Sequence, residues 1–325
     1  MTGARGRLEA AAELVQQVVP PTPQRRWPLL AARARCDLWV KHENHAPTGA
    51  FKVRGGLVYL HELLAGGARP TGVIAATRGN HGQSVAFAAA RHGLAATVVV
   101  PHGNSREKNA AMRAFGATLL EHGRDFQEAL EYARGLASER NLHYLASFAE
   151  PLVRGVASYA LELFQGVPNL DAVYVPVGMG SGICGVIAAR DALGLRTRIV
   201  GVVSDALPAY RLSFEAGRPV PTPPADTIAD GLACRVPDAD AVAMIRAGVD
   251  RVVSVSETAI RAAMRYYFSD THNVVEGAGA APLAAVLAEP DTVHGRRVAV
   301  IASGGNVDRE VYGAVLREGL KDPET

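Results

Sequence analysis

A chain of 325 residues is too long for one small module and suits two compact domains. Hydrophobic residues make up 48%, charged residues 20%, and the net charge is +2, a globular balance that excludes disorder, collagen and coiled coil. With 34 basic against 32 acidic residues there is no surplus for nucleic-acid binding, and three scattered cysteines without a CxxC exclude a disulfide framework and a structural zinc site.

The N-terminal stretch reads as an amphipathic helix, because acidic residues stand where a signal peptide needs a clean apolar run. Apolar runs such as 95–100 are far short of a membrane span. A soluble cytoplasmic protein in a reducing compartment is expected, with no membrane or nucleic-acid partner. Along the chain, short strand-like runs then alternate with longer helical patterns, which predicts an α/β fold with mostly parallel strands. Strand 71–76 precedes helix 82–92, strand 95–100 precedes helix 106–115, and strand 117–120 precedes helix 126–140. Helix 153–164, strand 171–177, a helix ending at 193 and strand 197–204 follow. The proline-dense stretch 217–224 reads as a surface loop. Strands 252–255 and 297–301 flank a helix near 282–288. The chain ends soon after the last glycine-rich loop, so no appended regulatory domain is expected.

Four strand-to-helix junctions carry polar and glycine-rich sequence where an open parallel sheet gathers ligands. The first, KHENHAPTGAFKVRGG over 41–56, sets Lys52 beside Phe51 and among small residues. Only four basic residues are lysines, namely Lys41, Lys52, Lys108 and Lys321. A lysine desolvated in such a setting becomes a nucleophile or base, and a surface lysine near a helix start is the plain alternative. HENH falls one residue short of the zinc-protease spacing. The second, TRGNHGQ over 77–83, offers turn amides for a carboxylate and the Asn80 amide for a phenolic oxygen, or is a simple helix cap. The third, GMGSGICG over 178–185, lets backbone amides approach a phosphate, with the Ser181 hydroxyl added. It also spells G-x-G-x-x-G, with Asp205 closing the next strand, so a nicotinamide-dependent oxidoreductase stays open here. The fourth, SGGNVD over 303–308, places Ser303 at the mouth of the sheet or is a tight turn.

Together these segments resemble the fold-type II pyridoxal-phosphate enzymes, in the threonine/serine dehydratase and serine racemase group. KHENHAPTGAFKVRG, ATRGNHGQSVAFAA, VPVGMGSGICG, DTIADGLA, VVEGAGAAPLAA and ASGGNVD carry the resemblance, in the family's order, from about Leu38 to Asp308. It implies two three-layer α/β domains like those of the tryptophan synthase β chain. A small mobile domain would span 44–145, a large cofactor-binding domain 1–43 plus 146–325, and the assembly would be a homodimer. Lys52 would bind pyridoxal 5'-phosphate covalently and then shuttle the substrate's α-proton. Phe51 would line the cofactor ring and Asn80 would bond its phenolic oxygen. Gly178, Met179, Gly180, Ser181 and Gly182 would cradle the phosphate. Ser303 would face the pyridine nitrogen, with Gly231 and Glu276 near the reacting face. The turn of Thr77, Arg78, Gly79, Asn80 and His81 would hold the carboxylate of an amino-acid substrate.

A neutral serine at the ring nitrogen holds a proton less firmly than an aspartate, which favours prompt loss of a β-hydroxyl over transamination. The expected reaction is β-elimination from a hydroxy-amino acid to a 2-oxo acid and ammonia. The substrate stays open among threonine, serine, a 3-hydroxyaspartate-like acid and a hydroxyectoine-derived one; TRGNHGQ and THNVVEGAGAAPLAA are similar to the dehydratases of hydroxyectoine utilisation. Amino-acid racemisation is the alternative within the family. Two departures bear on this. Arg78 stands where the resembled enzymes carry a small residue or the racemases' second-face serine, and arginine cannot give up a proton at neutral pH. Ser204 stands where cation-binding members carry an acid, so no metal site is expected.

Overall fold

The computed structural model describes residues 3–318. Lys321 lies outside the described residues. In chain order the elements are α1 (Ala4–Gln16), β1 (Gln24–Arg26), α2 (Pro28–Ala34), β2 (Asp37–His42), α3 (Lys52–Ala65), β3 (Val73–Ala76), α4 (Asn80–Arg91), β4 (Ala96–Val100) and α5 (Arg106–Ala114). β5 (Ala117–Glu121), α6 (Phe126–Glu139), β6 (His143–Tyr144), α7 (Glu150–Gly166), β7 (Ala172–Pro176), α8 (Ser181–Ala192), β8 (Arg198–Ser204) and α9 (Ala209–Ala216) follow. The last are α10 (Ala239–Gly248), β9 (Arg251–Val255), α11 (Glu257–Thr271), α12 (Gly277–Ala288), α13 (Pro290–Val293), β10 (Arg297–Ala302) and α14 (Arg309–Arg317).

The strands form two sheets. One has the order β5-β4-β3-β6 and is parallel throughout. The other has the order β1-β2-β10-β7-β8-β9, parallel except for β1 at one edge. Both sheets are covered on both faces, as parallel sheets are. In β10, Val298, Val300 and Ala302 pack toward α2, α11 and α12, while Ala299 and Ile301 pack toward α7 and α8. In β3, Val73 and Ala75 face α3 and α4, while Ile74 and Ala76 face α6. Successive side chains reach opposite layers, so strands buried on both sides read as continuous apolar runs. This is the three-layer α/β architecture expected from the sequence.

The structure departs from that reading in several places. Helix α12 begins at Gly277, five residues before the expected start, and carries Pro282 inside it. Its residues are buried on every side, so GAGAAPLAA lacks the amphipathic period that marks a surface helix. Strands β1 and β2 and helices α2, α9, α10, α11 and α14 also exceed what the sequence reading placed. Among the described residues no helix is long and apolar enough to cross a membrane.

Two helices meet closely enough to dictate glycine. α3 crosses α7 where a Cβ on Gly155 would collide with the Arg54 carbonyl and stand 2.8 Å from Gly55 Cα. Backbone cannot step aside as a side chain does. Gly155→Ala is therefore expected to cost about 1–3 kcal/mol through overpacking, read as a lowered thermal midpoint; an unchanged midpoint would refute the close crossing.

Candidate active site

The site begins where the loop before α3 is stitched to the loop after β10. Phe51 N donates to Ser303 O at 3.1 Å, and Gly305 N donates to Gly49 O at 2.9 Å. Gly49 has φ +68° and a Cβ there would meet Asn306 Oδ1 at 2.5 Å, so glycine is required twice over. This seam fixes the first residue of α3, Lys52. Its Nζ donates to Ser181 Oγ at 2.9 Å and stands 5.0 Å from the centre of the Phe51 ring. Burial, with no carboxylate to offset it, pulls the Lys52 ammonium down to about 8.

Ser181 opens α8, and the loop before it is shaped by contacts only glycine permits. Gly180 has φ +97°, and a Cβ would lie 2.7 Å from that of Ala241; one on Gly178 would strike the Gly231 carbonyl. Behind the loop, Tyr210 Oη donates to Met179 O at 3.0 Å and Tyr159 Oη to Gly182 O at 3.1 Å. With those carbonyls held from behind, the first-turn amides of α8 remain to bind an anion.

A second helix start lies beside it. Thr77 opens the turn after β3, and its Oγ1 accepts from Gly79 N at 2.9 Å, so that amide is already used. The first amides of α4, from Asn80, His81 and Gly82, have no partner within the helix. His81 is buried, which drops its ring to about 4. It is neutral at ordinary pH and donates from Nε2 to Leu145 O at 3.2 Å. The Asn80 amide nitrogen donates to Glu276 Oε1 at 2.7 Å, and its oxygen accepts from Asn306 Nδ2 at 2.9 Å.

Facing this turn is a cluster that the sequence reading missed in part. Lys108 Nζ lies 2.6 Å from Asp230 Oδ2 and 3.3 Å from Glu276 Oε2. Burial alone would lower the Lys108 pKa, but the two carboxylates override it and raise it, so this ammonium stays charged. Burial pushes the Glu276 carboxyl up against the pull of Lys108. Gly79 is glycine because the Lys108 stem crosses where its Cβ would be. The scarcity of lysine was the available signal for Lys108, and DTIADGLA contained Asp230. Two lysines of opposite character thus share one pocket: Lys52 gives up its proton readily and Lys108 is locked as a cation.

One pocket gathers Phe51, Lys52, Thr77, Arg78, Gly79, Asn80, His81, Gly178, Met179, Gly180, Gly182, Gly231, Glu276 and Ser303. Ser181 reaches it through its bond to Lys52. Asp205 follows β8 and is not among the residues of this lining. Ser204 Oγ donates to Glu257 Oε1 at 2.9 Å, and no cluster of three metal-ligating side chains occurs among the described residues. An aldehyde-bearing pyridine phosphate fits what is present. It needs an unpaired amine, which is Lys52, and a phosphate cradle whose space a Cβ would fill, which is the loop from Gly178 to Gly182.

The model of the family described as pyridoxal-phosphate dependent enzyme matches residues 15–304. The chain is 37% identical over 288 residues to an L-threonine ammonia-lyase of Geobacter sulfurreducens, covering 87% of this chain and 70% of that relative. It is 33% identical to a putative threonine dehydratase of Sinorhizobium fredii, covering 97% of each. The structure of the processed form of threonine deaminase isoform 2 from Solanum lycopersicum superimposes with a TM-score of 0.88 at 28% identity, over 97% of this chain and 93% of that one. The lysine pocket, the glycine cradle and these matches agree: the chain belongs to the fold-type II pyridoxal-phosphate-dependent enzymes, in the threonine/serine dehydratase family, and is a lyase that uses that cofactor.

Proposed function

We propose that the protein removes the β-hydroxyl and the α-amino group of a hydroxy-amino acid, giving a 2-oxo acid and ammonia. Threonine, serine, a 3-hydroxyaspartate-like acid and a hydroxyectoine-derived acid are the candidate substrates. The observation that carries this reading is the Lys52 amine, desolvated and free of any carboxylate, bonded only to Ser181 at the glycine cradle. When bound, pyridoxal phosphate supplies the electron sink that makes an α-proton removable. Lys52 is the base that takes that proton, and its low pKa leaves a usable neutral fraction near pH 7. The free amides that open α4 hold the α-carboxylate, and those that open α8 hold the phosphate. Phe51 lines the cofactor ring, and Ser303, buried at the end of β10, offers the ring nitrogen a neutral partner. Lys108, fixed by Asp230 and Glu276, holds positive charge in the pocket and suits a developing anion or a departing hydroxide.

The segment 44–145 is the part that closes. Lys108 reaches Asp230, Arg235 reaches Asp125, and Asn306 reaches Asn80, each pairing that segment with the remainder of the chain. Such closure excludes water from the pocket. The resemblance supports a homodimer, and exposed Leu29, Phe268 and Val311 on the neighbouring helices α2, α11 and α14 supply apolar surface for one. Holoenzyme incubated with each candidate substrate is expected to release equal amounts of 2-oxo acid and ammonia from at least one. Release from none would end the lyase reading, and fast D/L interconversion in its place would restore the racemase.

A further inference from the structure

The pocket around Lys52 does not end at the reacting centre. Beside it lies a second cavity of about 350 Å³, and Arg78, Phe126, Met179, Ala233 and Cys234 line both. Threonine, with one methyl beyond its β-carbon, leaves such a cavity unused. A cavity that adjoins a reaction site across shared side chains is a place for a longer substrate side chain.

The charges of the outer cavity identify what that side chain carries. Its lining includes Arg78, Arg124 and Arg235 with Asp125 and Asp226. Arg235 is paired with Asp125, and Arg124 with Glu128. Asp226 is exposed to solvent. Arg78 differs from all of these. The side chain is half-buried, its Nε is buried without any acceptor, and it forms no ion pair among the described residues. A permanently charged group with a buried, unmade hydrogen bond costs free energy in the ligand-free protein, and an arriving anion removes that cost. The backbone beneath it is held by the Thr77 Oγ1 bond to Gly79 N on one side and by α4 on the other. The guanidinium fork is therefore presented from a fixed base at the wall shared by both cavities.

We propose that the outer cavity is a subsite for the side chain of a substrate bearing a second anionic group, and that Arg78 receives that group. This rests on the lyase reading above and names its substrate class, a β-hydroxy-α-amino acid with a further carboxylate one to three carbons beyond the α-carbon. The substrate's own α-carboxylate has the free amides of Asn80, His81 and Gly82, so Arg78 is additional to that requirement. Guanidinium suits the task because its planar donors meet a carboxylate two at a time, which a lysine cannot do.

The test compares wild-type holoenzyme with Arg78→Gln and Arg78→Lys on threonine, serine, threo-3-hydroxyaspartate and 3-hydroxyglutamate, following 2-oxo acid release. The wild type is expected to favour the dianionic substrates. Arg78→Gln is expected to lower kcat/KM on them about 100-fold more than on threonine, and Arg78→Lys to recover part of the loss. A second arm needs no turnover and no variant: calorimetric binding of malate and 2-hydroxyglutarate against lactate. Those hydroxy acids lack the amine and cannot react, and wild-type protein is expected to bind the dianions at least tenfold more tightly. An equal loss on every substrate would move Arg78 to the α-carboxylate and overturn the proposal, as would equal binding of malate and lactate. If no amino acid yields a 2-oxo acid, the lyase reading fails by itself, and the malate arm repeated on Arg78→Gln, where the preference for malate over lactate is expected to vanish, still decides the role of Arg78; a preference that persists there would assign the second anion to another cation and overturn the proposal.

Discussion

Lys52→Ala is expected to abolish 2-oxo acid release, by on the order of 10⁴-fold or more, and to leave dialysed protein without the cofactor's absorbance at the violet edge of the visible. Two functions fall on one nitrogen, which is why the loss exceeds that of a simple base. No other lysine among the described residues stands in for it. Lys41 is sealed in an ion cluster, and Lys108 is held as a cation by Asp230 and Glu276. Retained activity in the alanine variant would rule out Lys52 as the base.

The same residue fixes a pH dependence. Cofactor uptake by the apoprotein requires the neutral amine, so its rate should climb about tenfold per pH unit and level off near pH 8, where burial has brought Lys52. An exposed lysine would delay that plateau to beyond about pH 10. Stability moves in the corresponding direction. The folded pKa is depressed below the unfolded one, so between about 8 and the ordinary lysine value of 10.5 the unfolded chain binds more protons, and the fold gains stability as pH rises through that window. Below about pH 8 the full desolvation cost is present, and Lys52→Ala apoprotein should unfold at no lower temperature than wild-type apoprotein.

Much of this was legible in the sequence, for a physical reason that also marks where legibility stopped. Strands β3, β4, β7, β8 and β10 are buried on both faces, so they appear as apolar runs, and the loops that follow them need glycine for local backbone reasons. Phe51, Lys52, Gly178 and Ser303 are all adjacent to such signals. Lys108 is not. In REKNAAMRAF it looks like one more charge on an exposed helical face. It turns inward because Gly79, far earlier in the chain, has no Cβ to obstruct its stem, and because Asp230 waits 122 residues later. The start of helix α12 is hidden for the opposite reason, since complete burial removes the period that makes a helix visible. Arg78 was visible as a departure from the resembled pattern, but only the structure shows its Nε buried and unpartnered at the junction of two cavities.

The other large effect belongs to Arg54, two residues beyond Lys52. At about 100° per residue on a helix, two residues turn the chain to nearly the opposite side, so α3 faces the pocket with Lys52 and a charged core with Arg54. Arg54 is fully buried. Its Nε donates to Glu43 Oε2 at 2.8 Å, Nη1 to Ser158 Oγ at 3.0 Å and Glu162 Oε1 at 2.7 Å, and Nη2 to Glu43 Oε1 at 3.0 Å and Glu162 Oε2 at 3.1 Å. Lys41 Nζ completes the cluster at 2.5 Å from Glu162 Oε2. Two cations balance two carboxylates, and the five guanidinium donors are all engaged. Arg54→Met removes one cation and leaves two buried carboxylates with one, which is expected to destabilise the protein by about 3–5 kcal/mol and lower its thermal midpoint by on the order of 10 °C. Adding Glu43→Gln to that variant removes the carboxylate that loses its cation, leaves the Lys41–Glu162 pair intact and should recover part of the loss, because the penalty comes from the unpaired carboxylate and not from missing volume. A midpoint unchanged by Arg54→Met would mean the cluster is solvated and does not anchor the helix that carries the catalytic lysine.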